Sequence, residues 1–285
     1  MKVFIYTAFA LVAFAFNSIL CRLALRGEEA DAAGFTLVRL VSGAVTLIVI
    51  SYFFGRNRAG SPRGFTSNLI LGSWASAFFL FAYAICFSFA YLGLTAATGA
   101  LVLFGSVQLT MVAVSIFRGE RPGTLEWLGL VTAFGGLVYL AFPGLAAPPL
   151  YASLLMAAAG TAWGFYTLRG KGSSNPLADT TGNFVRSVPM IAIAAIPFVS
   201  QLHLSSRGLL LAVVSGAVAS GIGYSVWYAT LKHHTATRAA VLQLAVPLIA
   251  AAGGILLLDE NATLRLAIAA ALILGGIALT IAGRK

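Results

Sequence analysis

Charge is what this sequence has least of. Only 9% of its 285 residues are Asp, Glu, Lys or Arg, against 60% hydrophobic residues, and the mean hydropathy is +0.94, which excludes a water-soluble domain. Acid is scarcer still. The eight acidic residues, Glu28, Glu29, Asp31, Glu120, Glu126, Asp179, Asp259 and Glu260, all fall between apolar runs or at their edges, and so do His203, His233 and His234. A proton-driven pump or multidrug antiporter needs an ionisable group in the translocation path that binds proton and substrate alternately. No carboxylate or imidazole lies at that depth, so facilitated movement of a neutral or zwitterionic solute fits better than export of a pure cation. The same absence removes membrane-embedded proteases and zinc enzymes, which need a buried histidine, paired aspartates or a ligand cluster. The chain reads as a non-enzyme with no metal site and no cofactor. Its two cysteines, Cys21 and Cys86, lie in or at the end of apolar runs and indicate no disulfide framework. A potassium-type selectivity filter is also missing, which disfavours a selective ion channel.

What the chain does have is ten runs long enough to cross a hydrocarbon core of about 30 Å as helices. They cover approximately 3–25, 34–54, 66–91, 97–117, 125–142, 149–168, 182–200, 207–231, 237–258 and 263–282. Strands are excluded because the runs lack the alternation of a barrel, and lipid cannot satisfy an exposed backbone. The first run is too long for a signal-peptide core and lacks a small-x-small cleavage pattern.

The chain also repeats itself. Glu120 is followed fifteen residues later by Gly135-Gly136, and Glu260 by Gly275-Gly276 at the same distance. Five runs separate the copies, an odd number, so the copies enter the membrane from opposite sides. The expected fold is an all-α polytopic membrane protein, with ten transmembrane helices in a five-plus-five inverted-topology repeat around a central cavity, an arrangement found mostly in transporters. The halves are 1–143 and 149–285, joined by a short extracytoplasmic connector at 144–148. Arg39 near the start of the second run corresponds to Arg186 near the start of the seventh, and Tyr91 to Tyr228.

Positive residues set the orientation. Lys2, Arg56, Arg58, Arg63, Arg118, Arg121, Arg169, Lys171, Lys232, Arg238, Arg284 and Lys285 fall on the side of the termini; Arg22, Arg26, Arg207 and Arg265 fall on the other. This imbalance predicts a multi-pass protein of a bacterial-type inner (plasma) membrane with both termini cytoplasmic. The formal charge of +10 is then a topology signal, and nucleic acid is not an expected partner. Expected partners are the lipid bilayer and a small zwitterionic or neutral organic substrate; the sequence does not set the oligomeric state, and a monomer is compatible with it. Arg39 and Arg186 either snorkel to the headgroups or pair with carbonyls or a carboxylate where helices cross, and their matched placement favours a shared structural role.

Aromatic and amide side chains supply the candidate cavity. Trp74, Phe78, Phe81 and Ile85 share one face of the third run, with Tyr83 to one side; Ser220, Tyr224, Trp227 and Tyr228 share a stripe of the eighth. Trp163 and Tyr166 lie in the sixth run, and Asn17, Gln108 and Gln243 are buried amides that need protein partners. Near run ends, Tyr228 and Trp127 read as interfacial anchors. An aromatic lining with a few amides suits a flat, amphipathic solute. Gly216 and Ser220, Gly253-Gly254 and the two repeat Gly-Gly pairs read as sites of close helix approach. Pro189 and Pro247, within runs, are candidate hinges.

With Arg-Gly-Glu-Arg-Pro at 118–122 and Leu-Leu-Asp-Glu-Asn at 257–261, each followed by its Gly-Gly helix, the chain resembles the EamA-type drug/metabolite transporters over nearly its whole length. Within that superfamily it is similar to the YddG-type aromatic amino acid exporters. The resemblance implies a central cavity lined by spans one, three, four, six, eight and nine, and an exporter of aromatic or neutral amino acids and related metabolites working by alternating access as a facilitator. The facing argument combined with that architecture puts Asn17, Trp74, Phe78, Tyr83, Gln108, Trp163, Tyr166, Tyr224, Trp227 and Gln243 at the cavity; Glu120 and Glu260 match the family's repeat motif, which implies a structural or gating position, and Pro189 and Pro247 remain the hinge candidates. The acidic residue that small multidrug relatives carry in the first span has no counterpart here; only Asn17 is polar at that depth. A drug or sugar-metabolite exchanger on the same scaffold is the alternative reading, and a lipid-handling or assembly protein a second.

Overall fold

A computed structural model describes residues 2–54, 72–117, 123–141, 148–171, 173–231, 233–234, 242–243 and 245–283. Ten helical segments follow the order that hydropathy predicts: α1 (Lys2–Arg26), α2 (Ala32–Phe54), α3 (Trp74–Ala90), α4 (Ala96–Phe117), α5 (Thr124–Ala141), α6 (Leu150–Gly170), α7 (Pro176–Ala195), α8 (Ser206–Leu231), α9 (Ala245–Leu258) and α10 (Leu264–Ala282). Residues Ile196–Gln201 continue α7 as a 3-10 turn. α7 starts earlier than the run expected at 182–200, because Asn175 caps the Ala178 amide and Pro176 occupies a first-turn position that needs no donor. Hydropathy alone does not register such a polar opening turn.

The segments Val3–Arg26, Ala32–Phe53, Ala96–Val114, Pro176–Gln201 and Ser206–Leu231 are each long and apolar enough to span a bilayer, and three further helices are shorter but equally apolar. Large side chains such as Phe53, Val131, Leu154, Ile193 and Leu256 stand exposed on the outside, while Asn17, Arg39, Gln108, Asn183, Ser215 and Gln243 are buried within. That inversion belongs to a bundle solvated by lipid.

α5 packs on α10, α2 on α7 and α8, α3 on α6 and α7, α4 on α6 and α9, and α1 on α8 and α9. Adding five to every helix number carries this set of pairs into itself, as two superposable halves require. The Gly-Gly pairs explain the α5–α10 contact. A Cβ on Gly276 would lie 2.5 Å from both Ala133 N and Gly129 O, and one on Gly136 would lie 2.8 Å from Leu272 Cβ, whereas Gly135 and Gly275 face open space. One glycine of each pair is therefore needed for close approach.

Thr7 Oγ1 lies 3.0 Å from His234 Nε2, which sets the start of α1 beside the end of α8. Gly283 similarly abuts Glu126 at the start of α5. Both chain termini thus share one end of the bundle, called here the terminal end; the other is the far end.

Candidate functional site

The bundle centre is built where α1, α3, α6 and α8 converge. Tyr224 on α8 packs against Trp163 on α6 with ring centroids 4.6 Å apart, against Phe14 on α1 at 5.6 Å and against Tyr83 on α3 at 6.4 Å. Trp227 closes on Phe14, and Tyr166 continues the stack from Trp163 to Tyr228. Tyr83, Trp163, Tyr166, Tyr224 and Trp227 are all buried. Asn17 and Gln243 join them: Asn17 Nδ2 donates to the Tyr224 hydroxyl at 3.3 Å, and the Trp163 indole N–H donates to Gln243 Oε1 at 3.5 Å. Gln108 is buried on α4.

Trp74 and Phe78 do not join this group. They are 61% and 52% exposed on the outer face of α3, where the Arg186 guanidinium lies over the Trp74 ring. The face of α3 that turns inward carries Ser76, Leu80, Tyr83 and Phe87. An aromatic stripe suits lipid as well as a cavity, and the small and polar residues opposite it were the better guide to the interior. Tyr228 is a second correction. It is no interfacial anchor, being 3% exposed, with its ring against the face of Gly170 and its hydroxyl donating to Tyr166 O at 2.8 Å. Trp127 does face outward.

The matched arginines part company. Arg186 donates to Gly182 O of its own helix at 3.0 Å. Arg39 is 1% exposed although it sits eight residues into α2. Its Nε donates to Ser220 Oγ at 3.0 Å, and its Nη2 to the hydroxyls of Tyr83 at 3.0 Å and Tyr224 at 2.8 Å. Its guanidinium also stands over the rings of Tyr83 and Phe87. Two local features bring it there. Gly216 lets α8 touch the α2 backbone, since a Cβ would fall on Arg39 O and Ser42 Oγ. Ser215–Ile222 forms a π-helix, whose five-residue repeat places Ser215 and Ser220 on one face, and both hydroxyls donate to Asn17 Oδ1, at 2.7 and 3.2 Å.

The two ends differ. At the terminal end an open cavity of about 630 Å³ lies between α3, α4, α6, α7 and α8, with Ser73, Arg169, Asp179, Asn183 and Tyr228 in its wall. At the far end Glu260 accepts the Ala96 amide at 2.8 Å, capping α4, and meets Arg22 Nε at 3.4 Å. Arg22 also donates to Tyr91 O, and Arg26 to Leu258 O, so each arginine sits on a helix C-terminus. Asp259, at φ 50°, turns the chain so that the Glu260 amide bonds back to Gly254 O. Across this end, Asp31 accepts the His203 amide at 2.8 Å and Glu29 meets Ser205 and Arg207. Pro247 lies buried in the first turn of α9, and Pro189 inside α7, which stays helical through it to Ala195. Glu120, the 118–122 motif and residues 144–147 of the connector lie outside the described residues.

Known proteins resemble this chain in sequence and in fold. The model of the EamA-like transporter family matches residues 150–282, which hold α6 to α10. An uncharacterized protein of Pseudomonas aeruginosa is 46% identical over 283 residues, covering 99% of this chain and 96% of the relative. An uncharacterized transporter of Archaeoglobus fulgidus is 31% identical over 183 residues, covering 61% of this chain and 63% of the relative. A solved crystal structure matches with a TM-score of 0.65 and 19% identity over 98% of this chain and 99% of that chain, a likeness of fold. The half of the chain that holds α6 to α10 is therefore similar to the EamA-like transporter family, and the helices that precede it complete a multi-pass membrane bundle around a buried polar centre.

Proposed function

We propose that the protein is an inner-membrane exporter of aromatic or neutral amino acids and related small metabolites, moving them as a facilitator by alternating access. The observation that carries this reading is the buried ring cluster of Phe14, Tyr83, Trp163, Tyr224 and Trp227, drawn from four helices and edged by the amides of Asn17 and Gln243. Rings stack a flat apolar body and amides orient its polar end. The cavity at the terminal end and the latched far end suit one of two alternating states. Both termini being cytoplasmic, as the arginine and lysine distribution predicts, this would be the state open inward. Purified protein in liposomes is expected to flux phenylalanine-like solutes without an imposed proton gradient, with drugs and sugars competing poorly. Trp163→Ala should raise the half-saturating concentration about tenfold or more. Strict dependence on a pH gradient, or preference for sugars, would overturn the reading.

A further inference from the structure

Arg39 is a full positive charge buried in the middle of the protein, and among the described residues no carboxylate pairs with it. The ion pairs of Arg22 with Glu260 and of Arg207 with Glu29 lie at the far end and do not involve Arg39. The partners of Arg39 are three hydroxyl oxygens and two ring faces. Of the five N–H groups of a guanidinium, three are used by Ser220, Tyr83 and Tyr224, and Nη1, which carries the other two, is buried without a hydrogen-bond partner. Holding a charge in that condition is costly, and a charge inside a transmembrane bundle marks a ligand path unless a partner neutralises it.

We propose that Arg39 anchors an anion site at the bundle centre that takes the carboxylate of a flat organic acid or amino acid. The planar fork of a guanidinium matches a carboxylate, and the unused Nη1 is the arm that would complete that pairing. A chain of packed rings joins the terminal-end cavity to this charge, and its faces are the surface the rest of the ligand would part. Ring faces lead from the terminal-end cavity to the charge: Tyr228 lines the cavity and meets Tyr166 at 5.2 Å, Tyr166 meets Trp163 at 5.5 Å, Trp163 meets Tyr224 at 4.6 Å, and the Tyr224 hydroxyl bonds Arg39. The aromatic body assigned to the ligand rests on the transport reading above; the anion site rests on Arg39 alone.

The test needs no variant at first. Thermal unfolding of the purified protein is followed with benzoate, benzamide and benzylammonium at fixed ionic strength, and with acetate and chloride to distinguish an organic carboxylate from an inorganic anion. Benzoate should raise the midpoint and the amide and ammonium should not. Stabilisation by acetate and chloride as large as by benzoate keeps the anion site and sinks the aromatic reading. Equal shifts from the three aromatic compounds, or none from any anion, overturn the site. Arg39→Gln should weaken benzoate binding about 30-fold or more while leaving benzamide unaffected. A benzoate preference that survives in folded Arg39→Gln refutes the proposal.

Discussion

Glu260→Gln tests whether the far end is a latch or merely a packing corner. The side chain is 6% exposed, so solvent screens it little, and its shortest contact is the 2.8 Å bond from the Ala96 amide at the positive end of α4. A hydrogen bond to a charged group contributes about 1.5–3 kcal/mol and a neutral one about 0.5–1.5 kcal/mol. Glutamine keeps the shape and one acceptor oxygen, so the closed far end should lose about 1–2 kcal/mol, which multiplies the population of the open form about 5- to 30-fold. Cys21 reports that population. It is fully buried on α1 and neighbours both Arg22 and Arg39, so it lies between the latch and the central charge. With Cys86 replaced by Ser, the rate of Cys21 modification by a water-soluble maleimide should rise by the same factor in Glu260→Gln. Arg22→Gln should raise it too, and the double variant should fall short of the product because the two residues share one contact. A rate unchanged within about twofold in a folded Glu260→Gln protein would show that the contacts of Glu260 do not hold that end shut.

Three other substitutions read the packing and the charge. Gly276→Ala should lower the unfolding temperature of the purified protein clearly, at a cost of about 1–3 kcal/mol for overpacking against Ala133 and Gly129, while Gly275→Ala should leave it unchanged because nothing stands within 4 Å of that position. Equal effects from the two would refute the assignment of one packing glycine per pair. Asn17→Asp would place a carboxylate one hydroxyl away from Arg39, since Ser220 Oγ meets both Arg39 Nε and Asn17 Oδ1. It should raise the thermal midpoint and abolish stabilisation by benzoate; a benzoate shift of wild-type size would refute the link between the two sites.

Apolar run length was enough to predict ten helices, and the Gly-Gly pairs marked the contact of α5 with α10, because lipid leaves a backbone no alternative to helix and close approach leaves glycine no substitute. Asn17, Trp163, Tyr224 and Gln243 were legible for a related reason: amides and phenols at mid-depth need protein partners. What the sequence hid depends on neighbours. The stripe from Trp74 to Ile85 and the opposite stripe through Ser76 and Tyr83 are equally regular, and only the packing of α3 on α6 and α7 decides which faces inward. The π-helix was hidden too, because a spacing of five between Ser215 and Ser220 has no meaning on an ordinary helix. Ser215 entered the site by that route, and Phe14 through its ring contacts with Trp163, Tyr224 and Trp227.

Arg39 is the instructive case, since its match with Arg186 argued for one shared role. The two sit at corresponding places in the halves, yet one reaches a carbonyl of its own helix and the other reaches hydroxyls on α3 and α8. The difference lies in what faces them. Gly216 and the π-helix bring α8 onto α2 at Arg39 and hold Ser220 beneath it, whereas Arg186 lies under the exposed Trp74. The two halves are therefore alike in packing and unlike in charge. A ligand that neutralises Arg39 would engage a residue of one half, α2, while competing for hydroxyls on α3 of the same half and α8 of the other. A ligand shifts a conformational equilibrium only through its differential affinity for the two states. A charge whose partners come from both halves gives it that difference, because any motion of one half against the other changes how many of those hydroxyls Arg39 keeps.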